Sequence, residues 1–235
     1  MSSEILSEPF LILVILAITP VIFLLWFFYH LNRYKKKSKK LMTITFLLGA
    51  ISIIPAIILE VILRNLIHQG LGLLSIFIYY MIGVALVEES LKFTSIKIYA
   101  YKSQLFDEPM DGLVLGVTAG LGFATVENLG YVLHYGAVDA IVRSLTSVPA
   151  HALYGAIIGY YLGEAKFRKK PSLAFVGLAL AIFLHGIFDT LTSVVPDILG
   201  VGMVFLMILA IYFGIVRKEV RTAEAESPYK TVTSY

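Results

Sequence analysis

The stretch VEESLKF, residues 87–93, sets Glu88, Glu89 and Lys92 inside an otherwise apolar run. At i and i+4 of a helix, Glu88 and Lys92 share a face and can pair, whereas Glu89 sits about 100° round the helix with no such local partner. Two adjacent carboxylates in a low dielectric cannot both ionise cheaply, so one of them is expected to keep its proton. A carboxyl group that can take and return a proton near neutral pH is what a general base acting on water requires. Further along, HGIFD places His185 and Asp189 one turn apart. Asp189 can then accept one imidazole proton and fix the tautomer, leaving the other nitrogen for a substrate or a metal. FATVEN supplies Glu127 and Asn128, and HALYG supplies His151.

These groups need elements to carry them, and the composition says which. With 58% hydrophobic and 15% charged residues, the chain is far from the charge content of about 25% in soluble domains and reads as an integral membrane protein. Crossings of about 20 apolar residues fit at about 10–31, 41–63, 71–102, 111–133, 139–163, 172–195 and 198–216. The expected fold is all-α, a polytopic bundle of about seven transmembrane helices. Residues 1–216 are expected to form a single membrane domain, followed by a polar, unstructured tail, 217–235. The first span begins beside Glu4 and Glu8 and has no small-residue cleavage site before its lysines, so it reads as a retained anchor. Absence of Cys rules out disulfides and thiolate chemistry.

Orientation follows from Lys and Arg. Arg33, Lys35, Lys36, Lys37, Lys39 and Lys40, then Lys97 and Lys102, then Lys166, Arg168, Lys169 and Lys170, then Arg217, Lys218 and Arg221 all fall on one side, and only Arg64 and Arg143 fall on the other. The N-terminus is expected outside and the C-terminus in the cytosol of a cell-membrane protein. The basic runs suit anionic lipid; they are short and adjoin spans, so nucleic acid is not expected as a partner. His30, His68 and His134 lie near helix ends and read as solvated, and Glu60 reads as a snorkelling carboxylate.

A carboxylate at the centre of an isolated membrane helix costs about 2.5–3.5 kcal/mol even on a lenient scale, so the remaining charges need partners. At about 1.5 Å per residue, Glu88, Glu127, His151 and His185 all lie roughly 20–24 Å from the basic end of their helices. Four helices thus bring ionisable groups to one level, somewhat outward of mid-membrane. The stripes Gly112, Gly116, Gly120 and His151, Gly155, Gly159, Gly163 recur every four residues. Such stripes let membrane helices approach closely, which turns Glu127 and His151 toward neighbouring helices.

In this order on four helices, EESLK, FATVEN, the lone His of HALYG and HGIFD resemble the PrsW family of intramembrane proteases, relatives of the type II CAAX prenyl proteases and bacteriocin-processing proteins. The resemblance covers about residues 83–189. It implies endopeptidase activity toward membrane-anchored, single-pass proteins of the anti-sigma-factor kind. It also implies that Glu88 and Glu89 hold the catalytic base, with Glu127, His151 and His185 orienting water, binding metal or stabilising the oxyanion, and Asp189 behind His185. The prenyl proteases carry His where Glu127 stands here, and nothing in the sequence demands a prenylated substrate.

Two routes are open. Zinc could be held by His151, His185 and a carboxylate such as Glu127, a sound donor set with an open fourth position, although no H-E-x-x-H occurs. Alternatively no cofactor is used: a Glu activates water while a protonated His or Asn128 donates to the oxyanion. The metal-free route is favoured because the buried carboxylates outnumber the histidines. Lys92 would support the site by neutralising Glu88. The rival functions are a proton- or cation-coupled transporter, which also keeps Glu, Asp and His at mid-membrane, and a scaffold whose polar residues only join helices.

Overall fold

The computed structural model describes residues 10–31, 34–35, 38–67 and 72–230. Glu4, Glu8, Arg33, Lys36, Lys37 and His68, used above, lie outside them. Among the described residues there are no strands, and seven helical stretches are long and apolar enough to cross a membrane. In chain order the helices are α1 (Phe10–Leu31), α2 (Lys39–Ile51), α3 (Ile53–Leu66), α4 (Leu73–Ile78), α5 (Leu86–Ile98), α6 (Pro109–Tyr135), α7 (Ala137–Leu145), α8 (Ser147–Phe167), α9 (Ser172–Val194), α10 (Ile198–Ile211) and α11 (Arg217–Ala225). The pairs α2–α3, α4–α5, α7–α8 and α10–α11 each form one continuous stretch long and apolar enough to cross.

Helix α6 is the axis of the bundle: 89% of its apolar window is buried, against 17% for α1. Lipid tails give apolar helices no reason to prefer one another over lipid, so a central helix must earn its place by close packing. The glycine stripes provide it. Gly112 lies against the Gly159 backbone, Gly116 against Gly155 and Gly120 against His151, which makes α6 and α8 antiparallel and nearly backbone to backbone. A Cβ at any of the three would strike a carbonyl of α8. Gly122 and Gly49 join α6 and α2 in the same way, through Phe46 and Ala119.

Three departures from straight helix shape the region around the buried charges. A π-helical turn, Tyr79–Ala85, joins α4 to α5 immediately before Glu88, and such turns are frequent at functional sites. Gly186 of α9 fits against Met81 of that turn. The fifth crossing, expected as one helix, breaks at Thr146. Pro149 explains the break, because it has no N–H to give the preceding turn and its ring collides with that turn's carbonyl. Pro55 acts likewise between α2 and α3, where Ser52 Oγ donates to Gly49 O at 2.6 Å.

The basic ends gather on one face. Lys35 pairs with Asp107 at 2.5 Å, and Lys166 Nζ donates to the carbonyls of Tyr101 (2.8 Å) and Phe106 (2.9 Å). Beyond Val216, where an unstructured tail was expected, α11 continues the last crossing with Glu219, Val220 and Ala223 buried. Three further contacts fasten the residues after it. Glu226 meets Arg168 at 2.7 Å, Ser227 Oγ donates to Glu108, and Tyr229 OH donates to Asp107 at 2.7 Å. Tertiary partners on the α6 N-terminus and α8 thus order a segment whose polar composition alone gives no reason to fold.

Candidate active site

The four motifs meet. Lys92 of α5 is 1% exposed, and its Nζ lies 3.0 Å from Glu88 Oε2, 2.8 Å from Glu89 Oε1 and 2.8 Å from His151 Nδ1. An ammonium has no acceptor, so His151 Nδ1 must accept, which leaves the ring hydrogen on Nε2. Nε2 lies 2.8 Å from Glu127 Oε2, and Glu127 Oε1 lies 3.0 Å from Arg143 Nη2. On the other side, His185 Nδ1 is 2.7 Å from Glu89 Oε1 and its Nε2 is 3.3 Å from Asp189 Oδ2. One polar chain therefore runs Arg143, Glu127, His151, Lys92, Glu88 and Glu89, His185, Asp189, through α7, α6, α8, α5 and α9. The aromatic rings of Phe123 and Tyr154 pack on it: Lys92 Nζ is 4.2 Å from the Phe123 ring centre, and Tyr154 stacks on His185 at 5.2 Å.

The chain borders a cavity of about 1160 Å³. Glu88, Glu127, Arg143, His151, Tyr154, His185 and Asp189 line it, together with Glu60, Arg64, Tyr131 and His134. Glu88 faces the cavity, whereas Glu89 is 0% exposed and stands behind it. Both can turn inward because α5 is enclosed on several sides, by α2, α6, α8 and α9.

A family model for PrsW family intramembrane metalloproteases matches residues 37–215. The chain belongs to the PrsW family. It is similar to the protein named Protease PrsW from Bacillus subtilis (strain 168), 33% identical over 196 residues that cover 82% of this chain and 88% of that protein. The corresponding proteins of Halalkalibacterium halodurans and Clostridioides difficile are 36% and 30% identical over 180 and 186 residues. These matches cover 74% and 75% of this chain, and 80% and 77% of those proteins. No solved structure matches the chain. Membership in the PrsW family makes the protein an intramembrane protease and decides against the transporter and scaffold readings.

The family's description as metalloprotease runs against the metal-free route that the sequence favoured, and makes the fit of the donors a question for this PrsW-family site. Among the described residues, one group brings its donor atoms within 4.8 Å of one another: Glu88, Glu89 and His151. Two carboxylates and an imidazole suit a divalent ion by type, and Glu89 Oε2 is buried with no hydrogen-bond partner. These three could hold a metal. The set expected from sequence, His151, His185 and Glu127, is not the one gathered. His151 directs its two nitrogens to opposite sides, Nε2 to Glu127 and Nδ1 to Lys92, so Glu127 is across the ring from the other donors.

Other expectations change with the geometry. Glu89 does have a local partner, because Lys92, at i+3 from it and i+4 from Glu88, reaches both carboxylates. His185 has no free nitrogen to aim at a substrate, since each faces a carboxylate. Asn128 is fully buried and engaged at both ends, donating from Nδ2 to Ala17 O at 3.0 Å and accepting at Oδ1 from Arg143 Nε at 2.9 Å. It props α1 and α7 against α6 and does not reach into the cavity. His134 is exposed, as expected, and Glu60, read as a snorkelling carboxylate, is half-buried; both line the cavity. Arg143 and Tyr154 were missed. One signal for Arg143 was available: with Arg64, it is set apart in the sequence from the clusters of Lys and Arg, and an isolated cation needs a partner.

Proposed function

We propose that the PrsW-family protein cuts a single-pass membrane protein, of the anti-sigma-factor type, within the cavity between α3, α5, α6, α8 and α9, using Glu88 as the general base. The observation that carries this reading is that Glu88 is the member of the acidic pair on the cavity wall, with Lys92 holding one of its oxygens at 3.0 Å. Water bound between Glu88 and the scissile carbonyl gives its proton to Glu88 as its oxygen bonds to carbon. The proton then passes to the departing amine as the C–N bond breaks. Arg143 and Tyr154 are among the wall residues with hydrogen to offer a developing oxyanion. Glu89 from behind, and His185 and Asp189 beside it on the wall, keep Lys92 and Glu88 in place.

Glu88, Glu89 and His151 are the residues that would hold a divalent ion, zinc among the candidates, and such an ion supplies Lewis-acid polarisation and an acidified water when bound. The gathering of Lys35, Lys102, Lys166 and Arg217 at one end supports a cytosolic C-terminus and an outer N-terminus in the cell membrane. On that orientation, Glu88, about 21 Å along the helix from Lys102, places the cut in the outer half of the bilayer.

The test is proteolysis in liposomes. The purified protein and a single-pass test substrate are co-reconstituted, and the products are read by mass spectrometry. Wild type is expected to cut within or beside the substrate's membrane segment, and His185→Ala to cut at least about 100-fold more slowly. No cleavage by wild type, or wild-type cleavage by a folded Glu88→Gln protein, overturns the reading.

A further inference from the structure

The three residues whose donor atoms gather closely enough to hold a divalent ion are the three that Lys92 already holds. Glu88, Glu89 and His151 are the gathered donors, and Lys92 Nζ stands 3.0, 2.8 and 2.8 Å from them. We propose that Lys92 is a built-in competitor for this seat: its ammonium and a divalent ion are alternative occupants, and the ion enters only when the lysine side chain leaves.

Geometry excludes joint occupancy. A zinc ion binds carboxylate oxygen and imidazole nitrogen at about 2.0–2.2 Å, inside the shell the ammonium occupies, and two cations in contact in a low-dielectric interior repel strongly. His151 Nδ1 has a single lone pair, so it serves either the ammonium or the ion. Charge also favours the exchange once the lysine is out, because one ammonium faces two carboxylates while a divalent ion matches both. Glu89 Oε2, buried and unpartnered, is a ligand atom the ammonium leaves unused. The cavity beside Glu88 and His151 gives an ion a way in without disturbing the α6–α8 contact. In the arrangement described, the site is therefore closed to metal, and metal loading is coupled to movement of Lys92. The proposal concerns occupancy and stands apart from which bond the enzyme cuts.

The experiment measures zinc binding without substrate. Full-length protein in detergent is titrated with zinc chloride at fixed neutral pH by calorimetry, and metal content is measured after gel filtration. Wild type is expected to retain much less than one equivalent. Lys92→Met is expected to retain one equivalent and to bind at least about tenfold more tightly, the effect of removing one charged hydrogen-bonding competitor. Adding His151→Ala to Lys92→Met is expected to abolish the gain. One tight equivalent in wild type that disappears in His151→Ala overturns the proposal, as does a cooperatively melting Lys92→Met that binds no better than wild type. Should Lys92→Met and the polar, uncharged Lys92→Gln both fail to fold without metal, recovery of a cooperative melt on adding zinc supports the proposal and failure to recover contradicts it. Because cleavage is never read, the outcome is separate from that of the liposome assay.

Discussion

Replacing Arg143 by Met removes the 3.0 Å ion pair with Glu127, the 2.9 Å hydrogen bond to Asn128 Oδ1 and the 3.0 Å hydrogen bond to Ser147 Oγ. Breaking a buried pair by removing one partner costs about 3–5 kcal/mol, because the remaining charge is stranded. Glu127 keeps part of its hydration, since its side chain is 17% exposed on the cavity wall, so the loss should be lower, about 2–3 kcal/mol. At about 2–4 °C per kcal/mol for a chain of this size, Tm should fall by about 4–12 °C. Cleavage should fall by about 10–100-fold, as when the partner that orients a site ligand is removed, because Glu127 then no longer fixes the His151 ring. Arg143→Lys keeps the charge and loses the fork that reaches three partners, so it should fall between. The assays are thermal unfolding in detergent and cleavage of a single-pass substrate in liposomes. An Arg143→Met protein that cleaves at the wild-type rate and melts within about 1 °C of it would refute the reasoning that this arginine supports the site.

Gly116→Leu should prevent the α6–α8 approach, since even a Cβ there meets the Gly155 carbonyl. The expected result is loss of folded protein by gel filtration, or at least about 1–3 kcal/mol of destabilisation, whereas Gly202→Leu, with open space around it, should be tolerated. At the basic end, burial pushes the Asp107 carboxyl up, but hydrogen bonds from Lys35 and Tyr229 and the Lys35 charge outweigh it and hold the group below its ordinary value of 3.8. Its contribution is therefore complete above that value and is lost as pH falls through the depressed one. The Tm difference between wild type and Asp107→Asn should be present at pH 7 and shrink toward zero in acid, and it should be small because both partners of the pair are partly exposed to water. A difference that grows on acidification would contradict the sign.

How much could be read beforehand follows from the range of each interaction. The glycine stripes are local and periodic, and they prescribe the interlock of Gly112, Gly116 and Gly120 with Gly159, Gly155 and His151. Glu88 with Lys92, and His185 with Asp189, are one-turn pairs legible from spacing alone. The same rule at i+3 pairs Glu89 with Lys92, so one lysine serves both carboxylates. Arg143 with Glu127 joins two helices through a turn at Gly136, whose φ is 88°, and no periodicity reports such a contact. Asn128 shows the converse limit. Its motif position beside Glu127 suggested chemistry, yet neighbours in sequence diverge by about 100° on a helix, and its side chain serves Ala17 and Arg143 instead. The choice of metal donors depends on which way each His151 nitrogen points, a rotamer that Lys92 and Glu127 jointly decide.

The central claim is that a carboxylate on the cavity wall, held by Lys92, activates the hydrolytic water. The most direct measurement is the single-turnover cleavage rate of Glu88→Gln relative to wild type, in liposomes, with thermal unfolding of both proteins alongside. The account predicts a fall of about 10²–10⁴-fold, the usual contribution of a positioned general base, in a protein that still melts cooperatively. Wild-type cleavage by a folded Glu88→Gln protein would contradict it.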